Sequence, residues 1–382
     1  MHTSAIAVAG FQNSIKNPGS YAVRALTPSA RGATLVRLGI IGCGYWGPNL
    51  VRTFSEIEGV ELVRVSDLRP GRRQFIAQRY PSLQTAADAT DVLSDASIDA
   101  VIIATPPDTH CALALEALNR GKHVLVEKPL ATNTADAGRI VELAARTQRT
   151  LMVGHLFLYA PAVMQINSLL REGELGAIYC ISSMRCNLGP PNTQVDVLWD
   201  LAPHDISMIL HLMDDAPTEV NAYGASFTNT RFAETVFITL RFADGRIAHI
   251  HVSWLTPAKT RLMQIIGSKR VVVYDDMQPV QKVQVFDPGI DNRVNASDKD
   301  STALGFAPGG IWIPPLKSYE PLRAECEDFV TSIRTGRPPL SNGPKALEVV
   351  RVLEAASRSL LQGGHSVYTG AQSEATPVEV AR

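Results

Sequence analysis

Residues 35–50, LVRLGIIGCGYWGPNL, hold the reading that decides the fold. LVRLGIIG is a short apolar run, the pattern of a strand covered on both faces of a parallel sheet. It leads directly into Gly42-Cys43-Gly44-Tyr45-Trp46-Gly47 and then into the start of an apolar helix. In such a turn the first glycine permits the tight bend, the second lets backbone approach a pyrophosphate, and the third allows close packing of helix on strand. The anion then sits on the helix N-terminus. GxGxxG alone is a weak signal, but here it has the strand before it, the helix after it, and an acid, Asp67, at the end of the next strand. A carboxylate about 20 residues beyond the last glycine can accept hydrogen bonds from the adenosine ribose, which favours NAD over NADP. Leu68 and Arg69 share that turn. Arg69, Arg72 and Arg73 could instead receive a 2′-phosphate, so NADP stays possible.

Outward from this stretch, strand and helix signals alternate through VELVRVSD, Leu83–Thr85, Ala100–Ala104, His110–Asn119, His123–Val126 and Thr134–Arg146. That alternation predicts an α/β, doubly wound dinucleotide-binding domain over residues 35–154. Ala104-Thr105-Pro106-Pro107 follows a buried strand, so Ala104, Thr105 and Pro106, with His110 beyond them, are expected to line the cofactor. The same residues also read as a proline-stiffened turn capped by Asp108 or Thr109. Residues 1–34 show no sustained period and read as an N-terminal arm. From residue 155 to 367 longer strands joined by turns predict an open, mainly antiparallel sheet with helices packed on one face. Asp244-Gly245 is its clearest hairpin signal. Residues 368–382 read as a flexible tail.

The 382 residues carry 36 Lys plus Arg against 37 Asp plus Glu, a formal charge of -1. That balance gives no bulk electrostatic reason to bind nucleic acid or a membrane surface. No run reaches the roughly 18 apolar residues of a membrane-spanning helix. The five cysteines are odd in number and form no C-x-x-C pair, which argues against a disulfide scaffold or a structural zinc site and for a reducing compartment, the cytoplasm.

Two places carry candidate chemistry. Glu127-Lys128-Pro129 ends the strand HVLV, where a dinucleotide fold presents its working groups, and a lysine there can stabilise a developing alkoxide. Pro129 biases Lys128 toward an extended backbone. Trp199-Asp200-Leu201-Ala202-Pro203-His204-Asp205 opens a helical run. If that helix begins near Pro203, Asp200 and His204 lie around its first turn and converge on one cleft, with His204 placed to exchange a hydroxyl proton. A capping aspartate beside a structural histidine is the competing reading. No third ligand accompanies the pair, so no metal is expected. His155 and Tyr159 could reach the nicotinamide or the substrate, and Arg185 and Asn187, after a sheet strand, could meet a polar substrate or its diphosphate.

The pieces GIIGCGYWGPNLVRTF, AVIIATPPDTH, GKHVLVEKPLA, LMVGHLFLYAPAV, VLWDLAPHDISMIL and HVSWLTPAKTR occur in order. Together they resemble the glucose–fructose oxidoreductase, inositol dehydrogenase and rhizopine-catabolism family, nearest its branch of UDP-N-acetylglucosamine 3-dehydrogenase-like proteins. The resemblance implies an N-terminal Rossmann domain, a C-terminal α/β domain around an open sheet, NAD or NADP, and a homo-oligomer, dimer or tetramer, joined through sheet faces. It places the glycine fingerprint on Gly42, Gly44 and Gly47, the ribose acid on Asp67, and the catalytic groups on Lys128, Asp200 and His204. The common family pattern has glycine between the aspartate and the histidine. Here Ala202 takes that place and Pro203 adjoins His204, which unsettles any transfer of substrate from the best-known members. The expected activity is hydride transfer between nicotinamide and a secondary hydroxyl of a sugar, a nucleotide-linked amino sugar being favoured. The alternatives are ketosugar or cyclitol chemistry in natural-product assembly, transient oxidation within one cycle, and a dinucleotide-binding sensor with little catalysis.

Overall fold

The computed structural model describes residues 35–189, 195–228, 232–287, 289–290, 306–307 and 309–369. The expected arm, residues 1–34, and nearly all of the expected tail lie outside them. Strands β1 (Val36–Ile41), β2 (Val60–Ser66), β3 (Gln84–Ala86), β4 (Ala100–Ile103), β5 (His123–Glu127) and β6 (Leu151–Gly154) form one sheet in the order β3-β2-β1-β4-β5-β6. All its pairings are parallel. Helices α1 (Gly47–Ser55), α2 (Pro70–Arg79), α3 (Thr90–Leu93), α4 (Pro107–Asn119) and α5 (Thr134–Arg146) connect the strands. Every residue of β4 and β6 is buried, as strands covered on both faces must be. The strand order reverses between β1 and β4, and a ligand crevice opens at such a switch point beyond the carboxyl ends of the strands.

After a 3₁₀ turn (Leu156–Tyr159) and α6 (Pro161–Arg171), β7 (Ile178–Cys186) begins the second sheet. Helix α7 (Val197–Met213) precedes β8 (Glu219–Ala225), β9 (Thr235–Arg241), β10 (Ile247–Ser253), β11 (Thr260–Gly267), β12 (Val271–Asp275) and β13 (Val283–Phe286). Short strands β14 (Gly289–Ile290), β15 (Phe306–Ala307) and β16 (Ile311–Trp312), helices α8 (Pro321–Thr335) and α9 (Gly343–Leu361), and β17 (Val367–Tyr368) complete the described chain. The large sheet runs β16-β13-β12-β11-β7-β10-β9-β8-β17, antiparallel except where β7 and β10 lie parallel. The expected α/β class and mainly antiparallel second sheet are therefore as observed. Asp244-Gly245 does turn β9 into β10, with Gly245 at φ +89°. Among the described residues no helix is long and apolar enough to cross a membrane.

Three features of this half position the site. First, α7 starts at Val197, capped by the Asp196 side chain accepting from Trp199 N at 3.0 Å, so Pro203 lies inside the helix rather than at its start. The proline signal misplaced the start because proline is most at home in a first turn. Its missing N–H frees the Trp199 carbonyl instead of ending the helix. Asp200 and His204 consequently share one face by i, i+4 spacing rather than flanking an N-terminus. Second, the late helices return to the first sheet: α8 packs on α1, and α9 on α5. The exposed edge of β6 is covered where Val153 N donates to Ser341 O at 2.9 Å and Met152 bridges Asn342.

Third, α7 is locked to β7 by a buried ion pair. The Arg185 guanidinium meets Asp205 at 2.5 Å, and Ser183 donates to the same carboxylate, with both charged side chains about 5% exposed or less. Removing one partner of such a pair leaves an uncompensated buried charge, at a cost of about 3–5 kcal/mol. Asp205→Ala should lower unfolding free energy by that amount in urea, with Ser183→Ala costing about 1.5–3 kcal/mol.

Candidate active site

The turn after β1 has the stereochemistry that its glycines imply. Gly42 sits at φ +96°, and a Cβ there would stand 2.5 Å from Ala104 O. On Gly47 a Cβ would stand 2.6 Å from Gly42 O, whereas Gly44 faces open space apart from Arg69 at 3.8 Å. Among the described residues no side chain caps α1; Pro48 has no N–H and Asn49 N donates to Trp46 O at 2.9 Å, so Gly47 N is the first-turn amide left for a ligand. Backbone that must stay bare, next to an uncapped helix N-terminus, fits a dinucleotide pyrophosphate. Tyr45 and Leu68 are largely exposed at the rim, while Trp46 turns inward and packs edge-on to Tyr45.

Asp67 ends β2 as expected, but its carboxylate is already engaged. It accepts from Cys43 N at 2.7 Å, Arg69 N at 2.9 Å, and the Arg69 guanidinium at 2.9 and 3.0 Å. Burial pushes this acid upward, yet the Arg69 and Cys43 hydrogen bonds outweigh it and hold the pKa down at about 2. A carboxylate ionised at every working pH is what a ribose diol needs as acceptor. Arg69 lies over it, its guanidinium bonded to both carboxylate oxygens.

His110 departs from expectation. Its ring is fully buried, with nitrogens 2.7 Å from Pro129 O and 2.9 Å from Thr105 O. It therefore ties the turn after β4 to the turn after β5 and faces backbone rather than a ligand. That tie holds the Lys128-Pro129 segment, whose peptide bond is cis.

Lys128 extends from the end of β5 toward α7. Its Nζ donates to Asp200 O at 2.8 Å and stands 3.8 Å from Asp200 Oδ1. Burial lowers its pKa below the usual 10.5, opposed by Asp200 and Glu127. Asp200 Oδ2 in turn accepts from Trp254 Nε1 at 3.2 Å, which fixes the carboxylate on its other side. His204, one turn along α7, shares with Lys128, Trp46 and Glu127 a cavity of about 170 Å³. Its Nδ1 is buried without a hydrogen-bond partner among the described residues, and burial, followed by the cations Lys128 and Arg185, keeps its pKa well below 6.5. A second chamber of about 450 Å³, lined by Pro107, Asp196, Trp199 and Phe232, reaches Lys128 and Asp200 from the other side. A cationic donor and a neutral imidazole thus flank the space beside the dinucleotide turn, the pairing that alcohol–ketone chemistry requires.

The other expected contacts divide. Tyr159 is buried with its hydroxyl 2.7 Å from Asp328 Oδ2 and 3.2 Å from Ser341 Oγ, so it braces α8 against the β6 edge instead of facing the cleft. Arg185 lies behind Phe157, its guanidinium 4.4 Å from the ring centroid and paired to Asp205, and does not line the cavity. His155 lines a separate cavity behind α7, with both ring nitrogens unpartnered among the described residues. Asn187 is half-buried at the end of β7, where its backbone N–H donates to Ser253 O at 3.0 Å. Phe157 forms the floor under His204 at 5.0 Å between centroids. Glu325 also lines the cavity and had no sequence signal, because it comes from α8 at the far end of the chain.

The family model described as "Oxidoreductase family, NAD-binding Rossmann fold" matches residues 36–155, and one described as "GFO/IDH/MocA C-terminal domain" matches 163–273. An inositol 2-dehydrogenase of Acidothermus cellulolyticus is 33% identical over 254 residues, spanning 64% of this chain and 74% of its own. A UDP-N-acetylglucosamine 3-dehydrogenase of Acidithiobacillus ferrooxidans is 28% identical over 324 residues, spanning 84% of this chain and 95% of its own. A solved structure of UDP-N-acetylglucosamine 3-dehydrogenase from Acidithiobacillus ferrooxidans superposes with a TM-score of 0.74 at 25% identity, covering 86% of this chain and 98% of that one. Matched in order along both sheets, the chain belongs to the GFO/IDH/MocA family of oxidoreductases and carries its NAD-binding Rossmann domain.

Proposed function

We propose that this oxidoreductase interconverts a secondary hydroxyl and a ketone on a sugar or cyclitol, with a nucleotide-linked amino sugar as the favoured substrate. The observation that carries this reading is the place of Lys128, which lines one cavity beside the glycine turn with His204 and reaches Asp200 on its other side. Gly42, Gly44, Gly47 and the α1 N-terminus would hold the dinucleotide phosphates and Asp67 its ribose, while Ala104, Thr105 and Pro106 border the crevice. Bound NAD would supply the hydride acceptor. The substrate C–H bond breaks with its electron pair leaving as hydride, the O–H bond breaks with its proton passing to neutral His204, and the C=O bond forms. Lys128 holds the oxygen as negative charge develops on it. Asp200, itself held by Trp254, fixes the Lys128 ammonium.

The larger chamber on the Asp200 side supports a substrate bigger than a free monosaccharide, and the likeness to UDP-N-acetylglucosamine 3-dehydrogenase over most of both chains supports a nucleotide on it. Incubation with UDP- and dTDP-sugars, free amino sugars and inositols, with product masses and NADH absorbance followed together, tests this. Stoichiometric NADH with a UDP-sugar is expected. Turnover on an inositol and on no UDP-sugar would overturn the substrate preference.

We take residues 35–154 as the dinucleotide domain and 155–367 as the substrate-binding and oligomerisation domain, in a cytoplasmic protein whose described cysteines are all free thiols. The sheet face opposite α7 and α9 carries a cross-strand row, Tyr223–Phe237–His251–Met184, in which Tyr223, Phe237 and Met184 are exposed. An apolar row in the middle of an open sheet supports a homo-oligomer joined through that face. Phe237→Arg should convert the assembly to monomer mass in light scattering; an unchanged mass would place the interface elsewhere.

A further inference from the structure

The Glu325 side chain enters the catalytic cavity from α8, is 1% exposed, and leaves Oε1 without a hydrogen-bond partner among the described residues. A second acid, Glu127, shares the cavity, in space that Gly154 leaves open: a Cβ on Gly154 would stand 3.0 Å from Glu127 Oε2. Two carboxylates in one buried cavity resist joint ionisation. Burial first, then repulsion from Glu127 and Asp328, pushes the Glu325 pKa well above 4.5, while burial lifts Glu127 to about 7. None of the steps above uses Glu325.

The other charges around it are already matched. Lys128 has Asp200 at 3.8 Å, Arg261 has Asp276 at 3.1 Å, and on α1 Arg52 pairs with Glu320. Asp328, on the same face of α8, bonds Tyr159 and Arg337. His155 and His204 are held neutral by burial, and the Cys326 thiol, next along α8, is pushed far up by burial and these acids. Glu127 is drawn toward ionisation by its neighbour Lys128. Among the described residues around this cavity, Glu325 is the acid left without a cation.

We propose that Glu325 is the charge counterpart of the nicotinamide ring: a neutral acid in the free protein and beside the reduced ring, and a carboxylate when the positively charged oxidised ring enters. The inference rests on the reading that this cavity receives the nicotinamide. A unit positive charge brought into a low-dielectric cavity beside a neutral carboxyl favours loss of its proton. The resulting carboxylate offsets the positive charge of the ring, for which the matched pairs around it leave no other partner. Once hydride has neutralised the ring, the same carboxylate takes a proton back. Oxidised and reduced nucleotide are thereby distinguished by proton count.

The test is titration calorimetry of NAD⁺, NADH and ADP-ribose in buffers of different ionisation enthalpy, over mildly acidic to mildly alkaline pH. The wild-type protein should release up to about one proton per NAD⁺ bound, and NAD⁺ affinity should rise with pH by up to about tenfold per unit. NADH and the ring-less ADP-ribose should release none. Glu325→Gln, which mimics the neutral acid, should bind both nucleotides with no proton release. Independently of any variant, infrared difference spectra of the wild-type protein should lose a protonated-carboxyl band on adding NAD⁺ but not ADP-ribose. NAD⁺ binding without proton release would overturn the assignment, as would release that survives in Glu325→Gln and disappears in Glu127→Gln. Failure of both NAD⁺ and NADH to bind the wild-type protein would instead overturn the reading of the cavity itself, and the assignment with it.

Discussion

Lys128→Met should lower kcat by roughly 10²–10³-fold, equivalent to about 2.7–4 kcal/mol of lost transition-state stabilisation, while NADH affinity changes little. Methionine keeps the length and the apolar stem and removes only the cationic donor. That donor now reaches Asp200 O at 2.8 Å, within the cavity where substrate oxygen would gain charge. Because Trp254 still holds Asp200 Oδ2, the variant should keep the α7 geometry. Lys128→Arg should not restore the rate, since a planar fork cannot occupy the point position of an ammonium. A second effect follows through His204. Its basicity is depressed first by burial and next by Lys128, so deleting the cation should raise the imidazole pKa and move the acid limb of the residual rate to higher pH. Steady-state kinetics over pH, with fluorescence titration of NADH, measures all of this. Wild-type turnover at normal NADH affinity would remove Lys128 from the chemistry.

The Lys128 end of this site could be found in the sequence because its information is local. A strand, a glycine turn, a helix and an acid about 20 residues on follow from backbone stereochemistry within one βαβ unit. The alternation of strands and helices in the parallel domain and the hairpin at Asp244-Gly245 likewise follow from local patterning. What stayed hidden depends on pairings made far along the chain. Arg185 read as a substrate arginine because nothing in its strand announces that Asp205 lies behind it, 20 positions later on a packed helix. Tyr159 looked free for the same reason, its partners Asp328 and Ser341 coming from the C-terminal segment. Glu325 was invisible: a glutamate on an amphipathic helix reads as solvated, and only the return of α8 onto α1 buries it. The α7 start was misplaced because proline's first-turn preference outweighed the subtler cap at Asp196.

His204→Asn should lower kcat by roughly 10²–10⁴-fold, the range for loss of a positioned general base, and should change the shape of the pH profile as well as its height. The sign follows from the burial of the ring. An imidazole whose pKa lies well below 6.5 is already the free base as pH falls through that value, so the wild-type rate should not drop there as it would for an exposed histidine. Without the imidazole the hydroxyl proton must go to solvent. The residual rate should then climb with pH across the range where the wild-type profile is flat. A structural role predicts something different. Loss of the edge-to-face contact with Phe157, at 5.0 Å, costs about 0.5–1.5 kcal/mol of stability and leaves the pH dependence as it was. Thermal denaturation of the variant separates the two contributions. A modest fall in Tm with a rate that has become base-dependent identifies His204 as the proton acceptor, whereas an unchanged profile, at whatever rate, would leave Lys128 to activate the hydroxyl without it.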